Sequence, residues 1–157
     1  MNKNKIPRVL IIAGSDSSGG AGIQADIKTL TVFKVFSMTA ITAITAQNTN
    51  GVSSVESVSI DLIKKQIEDC ISDIGVDAIK IGMVNKSEIF DLIFEAIKKY
   101  EIIKKDIPII LDPVMFAKGG FPLLENQAIS ALKEFIKQVD CILTPCLLYT
   151  SDAADES

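Results

Sequence analysis

The chain contains no histidine, and its single arginine is Arg8. Without an imidazole, no Ser-His-Asp or Cys-His relay can be assembled from this polypeptide, so a nucleophile would have to be activated by other means. Sixteen basic residues stand against twenty acidic ones. That balance provides no basic field for following a nucleic-acid backbone, and no nucleic-acid partner is expected. Cys70, Cys141 and Cys146 are odd in number and spaced unlike a zinc site, so they read as buried or incidental thiols. There is no run resembling a signal peptide and no apolar stretch long enough to cross a bilayer. The expectation is a cytoplasmic chain with no membrane partner. Two phosphate-binding fingerprints are also missing: no loop ends in Gly-Lys-Ser/Thr, and no Gly-x-Gly-x-x-Gly register occurs.

What is present is an apolar fraction of 48% in 157 residues, enough for one domain with a buried sheet. Arg8 to Ala13 is apolar after its first residue and reads as a strand. It runs into Gly19, Gly20 and Gly22, where a ligand can approach backbone that Cβ atoms would otherwise shield. A helix from Ala21 follows, with Ile23, Ile27, Leu30 and Phe33 at helical spacing. Its unpaired N–H groups are expected to favour an anionic or polar ligand. Ser37 to Gln47 is a β-branched, alanine-rich strand, and Val52 to Ile60 an extended excursion. Asp61 is the expected cap of a helix with Ile63, Ile67, Cys70, Ile71 and Ile74 inward.

Asp77 to Met83 reads as the next strand, with Ser87 as the cap of a helix that buries Ile89, Phe90, Ile93, Phe94 and Ile97. Ile107 to Asp112 is a further strand stopped by Pro113. A helical stripe then runs from Ala128 to Val139, and Cys141 to Thr144 begins another strand. Continuous apolar strands alternating with amphipathic helices predict an α/β fold, a mainly parallel sheet with helices on both faces. Ligands in such sheets collect beyond the carboxyl ends of the strands. Asp16, Gln47, Met83 and Asp112 all fall at or just past predicted strand ends.

As a whole string, Ala13 to Thr29 resembles the N-terminal motif of the hydroxymethylpyrimidine and phosphomethylpyrimidine kinases of thiamine biosynthesis, in the ribokinase-like superfamily. The likeness continues, in order, through Ile44-Thr45-Ala46-Gln47-Asn48-Thr49, Lys80-Ile81-Gly82-Met83, Leu111-Asp112-Pro113-Val114-Met115-Phe116-Ala117-Lys118 and Leu143-Thr144-Pro145. It implies a ribokinase-like fold and ATP-dependent phosphorylation of 4-amino-5-hydroxymethyl-2-methylpyrimidine and its monophosphate. Gln47 would read the aminopyrimidine edge, since an amide both donates and accepts. Asp26 would accept from the amino or hydroxymethyl group, Ala21 would offer a small backbone contact, and Met83 and Val114 would wall the ring. Asp112 would stand near Mg2+ and the phosphates, with Lys118 neutralising phosphate in a Gly119-Gly120 loop. ATP and Mg2+ are the implied cofactors, a small pyrimidine is the implied partner, and a homodimer is implied for the full-length parent.

The resemblance also implies a Gly-Thr-Gly-Cys or Gly-Thr-Gly-Asp segment opening a later helix, where backbone N–H groups meet the transferred phosphate and the last residue acts as base. No glycine follows Gly120, so that segment does not occur and no catalytic residue is assigned. The expectation is that residues 1–145 form the N-terminal part of a single kinase domain, truncated before its C-terminal nucleotide-binding half. Residues 146–157 read as a non-family tail, an artefact of adapter read-through. The chain as given is therefore expected to turn over little ATP and to be marginally stable or to aggregate. A pyridoxine or pyridoxal kinase of the same superfamily and a non-catalytic pyrimidine-binding module are the alternatives.

Overall fold

The computed structural model describes residues 6–116 and 122–144. The chain runs β1 (Arg8–Asp16), α1 (Gly22–Val32), β2 (Phe36–Gln47), β3 (Val52–Ser57), α2 (Ile60–Asp69), β4 (Ala78–Ile81), α3 (Ser87–Lys99), β5 (Ile109–Leu111), α4 (Asn126–Gln138) and β6 (Ile142–Leu143). A π-helical turn, Cys70–Ile74, prolongs α2. The strands form a six-stranded sheet in the order β3-β2-β1-β4-β5-β6. Every neighbouring pair is parallel except β2 with β3. The chain leaves β1 toward β2 on one side and returns to β4 on the other, so the order reverses at β1. Such a switch point opens a crevice at the carboxyl ends of the strands.

Alternation along the strands divides the interior in two. Leu10 and Ile12 of β1, Ile79 and Ile81 of β4, and Ile109 and Leu111 of β5 face the larger core, which α2, α3 and α4 close with Ile63, Ile93 and Leu132 among others. Phe90 of α3 meets Phe135 of α4 at 5.6 Å between ring centroids. Ile11 and Ala13 face the opposite way and pack beneath Ile23, Ile27 and Leu30 of α1. Helices therefore lie on both faces, but unequally: among the described residues, α1 stands alone on its side.

Two expected caps are displaced. Ser59 precedes α2 and Asp61 lies in its first turn, while Lys86 precedes α3 and Ser87 is its first residue. Neither helix start has a side-chain cap, because the residue in the extended capping conformation is set by the incoming loop; the Ser87 hydroxyl instead meets Glu88 at 3.0 Å. Asp61 and Glu88 still place negative charge where the helix dipole favours it. The lone arginine is structural: Arg8 grips Asp77 in a fork of 2.9 and 3.0 Å at the amino end of the sheet, away from the crevice. Cys70 and Cys141 are free, half-buried thiols.

Candidate functional site

A cleft of about 340 Å³ lies over the carboxyl ends of the central strands. Its walls come from the end of β1, the start of α1, the end of β2 and the loops after β4 and β5. Asp16 and Gln47 close their strands, Met83 lies two residues past β4, and Asp112 lies one past β5. The parallel register places these ends along one edge, as the strand reading requires.

The glycine-rich loop is organised by one carboxylate. Asp16 is 3% exposed and accepts the Ser18 N–H at 2.8 Å, the Ser18 hydroxyl at 2.8 Å, the Gly20 N–H at 3.0 Å and the Ala21 N–H at 2.8 Å. Burial works to raise its pKa, but the hydrogen bonds from the Ser18 hydroxyl and from the Ser18, Ala21 and Gly20 backbone outweigh it and hold the carboxyl below its ordinary value. At Gly20 and Ala21 this corrects the expectation of free amides. The N–H groups of Gly20 and Ala21 already serve an anion that the protein itself supplies.

Neighbouring side chains fix the loop to the sheet. Gln24 of α1 accepts the Asp16 N–H at 2.8 Å and donates to the Ser15 hydroxyl at 2.7 Å. Ser17 donates to the Gln47 carbonyl at 2.9 Å and accepts its N–H at 2.8 Å. Opposite Gly14, β2 gains a residue relative to β1, the register passing from Ala13↔Ile41 to Ser15↔Ile44. The fully buried Thr42 in this bulge donates to the Met83 carbonyl at 2.7 Å and so ties β2 to the loop after β4.

The structure brings Ala21, Asp26, Gln47, Met83, Asp112 and Val114 to the same cleft. Lys118 lies outside the described residues, as do Gly119, Gly120 and the tail from Pro145. The Gln47 Oε1 sits 3.2 Å from the Thr45 hydroxyl, and its NH2 has no protein partner among the described residues. Asp26 does not stand alone: Lys80 of β4 donates to its Oδ2 at 2.8 Å. The sequence reading missed Lys80 as a site residue although it opened one of the recognised strings. Its signal is a charge set within the otherwise apolar strand Ala78–Ile81. Phe116 and Leu123 add apolar surface to the cleft. No group of three or more potential metal-binding side chains exists among the described residues. Asp112 shares the cleft with Asp16 and Asp26 but belongs to no such group, so a Mg2+ held there would need phosphate and water ligands rather than an all-protein cage.

A family model described as phosphomethylpyrimidine kinase matches residues 16–151. The hydroxymethylpyrimidine/phosphomethylpyrimidine kinase of Haemophilus influenzae is 43% identical over 142 residues, covering 90% of this chain and 51% of that protein. The crystal structure of phosphomethylpyrimidine kinase from Clostridium difficile 630 superposes with a TM-score of 0.70 at 50% identity, covering 82% of this chain and 53% of that one. The pyridoxal kinase of Staphylococcus aureus in complex with pyridoxal reaches a TM-score of 0.76 at 34% identity, covering 90% and 50% respectively. The fold is thus that of the ribokinase-like kinases, and the chain spans about half the length of the curated relatives it matches.

Proposed function

Because the chain belongs to the phosphomethylpyrimidine kinase family, we propose that its cleft is the pyrimidine-binding half of a kinase for hydroxymethylpyrimidine and its monophosphate. The observation that carries this reading is the convergence of Gln47, Asp26, Met83 and Val114 on one cleft at the switch point of the sheet. An aminopyrimidine ring presents a ring-nitrogen acceptor beside an amino donor. The Gln47 NH2 and an Asp26 carboxylate oxygen supply the complementary pair, while Met83 and Val114 supply the apolar walls.

Phosphoryl transfer of the kind the family performs would use ATP with Mg2+. Asp112 is the residue here that would hold the metal, whose charge would offset that of the transferring phosphate. Residues 1–145 supply substrate recognition in this scheme, and the phosphate-cradling Gly-Thr-Gly segment would have to come from elsewhere. The 157-residue chain is accordingly proposed to bind pyrimidine without turnover. Likeness to pyridoxal kinases of 34% identity keeps pyridoxal as the competing ligand.

Isothermal calorimetry of the chain with 4-amino-5-hydroxymethyl-2-methylpyrimidine and with pyridoxal is the direct test. The expected result is preference for the pyrimidine, weakened at least tenfold in Gln47→Ala, which corresponds to about 1.4 kcal/mol. Equal binding by Gln47→Ala, or preference for pyridoxal, would overturn the assignment.

A further inference from the structure

Lys80 occupies an improbable place for a cation. It lies in a four-residue strand near the middle of the sheet, between Ile79 and Ile81, which are buried in the larger core. Alternation turns its side chain to the α1 face. There it meets Asp26, which follows Ile23 by three positions and so shares the sheet-facing side of α1. The two side chains are only 22% and 23% exposed, so solvent screens the pair incompletely. Gly82 adjoins the pair: a Cβ there would lie 2.8 Å from the Lys80 Nζ, the mobile end of that side chain, and 3.0 Å from the Ala13 Cβ.

The pair also has a location that a simple staple would not need. Asp26 and Lys80 line the cleft, and both line a second hollow of about 260 Å³ on the other side, bounded by Val9, Ile11, Leu30 and Ile110. They form the partition between a polar-rimmed cleft and an apolar groove. Within that partition the bonding is unequal: Lys80 engages Asp26 Oδ2, while Oδ1 has no protein donor among the described residues. A carboxylate anchored through one oxygen presents the other as an acceptor of fixed position, and a fixed acceptor discriminates between ligands far better than a mobile one.

We propose that Lys80 is a specificity-determining positioning residue: it holds Asp26 so that Oδ1 accepts an N–H or O–H of the ligand and rejects ligands that lack that donor. This rests on the reading of the cleft as a pyrimidine site. The role is expressed through Asp26, and Lys80 itself need not touch the ligand.

The test measures affinities of the 157-residue chain for 4-amino-5-hydroxymethyl-2-methylpyrimidine, for its analogue without the amino group and for its analogue without the hydroxyl. In the unsubstituted chain, at least one analogue should bind tenfold or more weakly. In Lys80→Met that discrimination should shrink to threefold or less, and Lys80→Arg should restore most of it. The double variant Asp26→Asn/Lys80→Met removes both charges and controls for folding. It should recover the thermal stability lost in Lys80→Met but not the discrimination. A purely structural pair would behave differently: Lys80→Met would weaken all ligands alike, and the neutral double variant would recover discrimination along with stability. Either of those results overturns the proposal. Failure of the unsubstituted chain to bind the pyrimidine at all would instead overturn the site assignment beneath it, and the two failures are thereby distinguished.

Discussion

At the residue scale, Asp16 shows how one carboxylate can replace the ligand that a glycine loop is usually read to await. Its oxygens collect the Ser18, Gly20 and Ala21 amides and the Ser18 hydroxyl, and the net effect of burial and hydrogen bonding is to keep the carboxyl below its ordinary value. A group whose pKa is depressed on folding stabilises the fold above its unfolded value and loses that contribution as pH falls through the folded value. Asp16→Asn should therefore lower stability at neutral pH by about 1–3 kcal/mol, since buried donors lose a charged partner. The gap between the two proteins should begin to narrow in acid as pH falls past the unfolded carboxyl's value, about 4, and close only at lower pH, where the depressed native carboxyl also protonates. Urea denaturation of both chains from pH 7 to pH 3 checks this, and a gap independent of pH would exclude it. None of this was visible in the residue string, because which amides a carboxylate gathers depends on how the loop closes.

At the scale of elements, strands and helix stripes were legible because burial imposes its period directly on the residues: β1 reads as an apolar run, and Ile89, Phe90, Ile93 and Ile97 mark the inward side of α3. Helix starts were less so, since Ser59 and Lys86 occupy the capping positions without side-chain caps and Lys86 is not a residue type that caps. The extra residue in β2 was equally hidden, although it carries Thr42 to the Met83 carbonyl and so shapes the cleft. The junction of β1 with α1 was better signalled by its glycines, and of these Gly22 bears the strictest demand. It has φ +56°, and a Cβ there would lie 2.4 Å from the Gly14 carbonyl oxygen. Left-handed backbone costs a non-glycine residue about 1–2 kcal/mol, and the clash adds to it. Gly22→Ala should thus destabilise the chain by more than about 2 kcal/mol. At Gly20 the nearest atoms to an added Cβ are 3.8 Å away. Gly20→Ala should remain within about 0.5 kcal/mol of the parent, so denaturation midpoints of the two variants separate steric necessity from loop composition.

Across the whole molecule, the two faces of the sheet are unequally covered, and this bears on association. α2, α3 and α4 close one face, whereas α1 leaves an apolar hollow beside Val9, Ile11, Ala78 and Ile110. The edges differ in the same sense. β3 is a short antiparallel strand carrying Ser53, Ser54, Glu56 and Ser57, a composition that discourages further pairing. β6 on the opposite edge exposes Ile142 at 61% and Leu143 at 47%, with no acidic or basic residue in the strand to deter another strand. Near the start of β2, Val32, Phe33 and Phe36 are 79%, 72% and 51% exposed, a further apolar cluster close together in the chain. An edge unpaired among the described residues and bare apolar surface together favour concentration-dependent self-association, and the edge is the more directional of the two because its backbone groups fix how a second strand can add. Ile142→Lys should therefore reduce association more than Phe33→Lys does, since it places charge on the pairing edge itself. Sedimentation velocity at rising protein concentration reads this directly. A chain that stays monomeric throughout and melts in one cooperative transition would show instead that its open edge and hollow are tolerated in water.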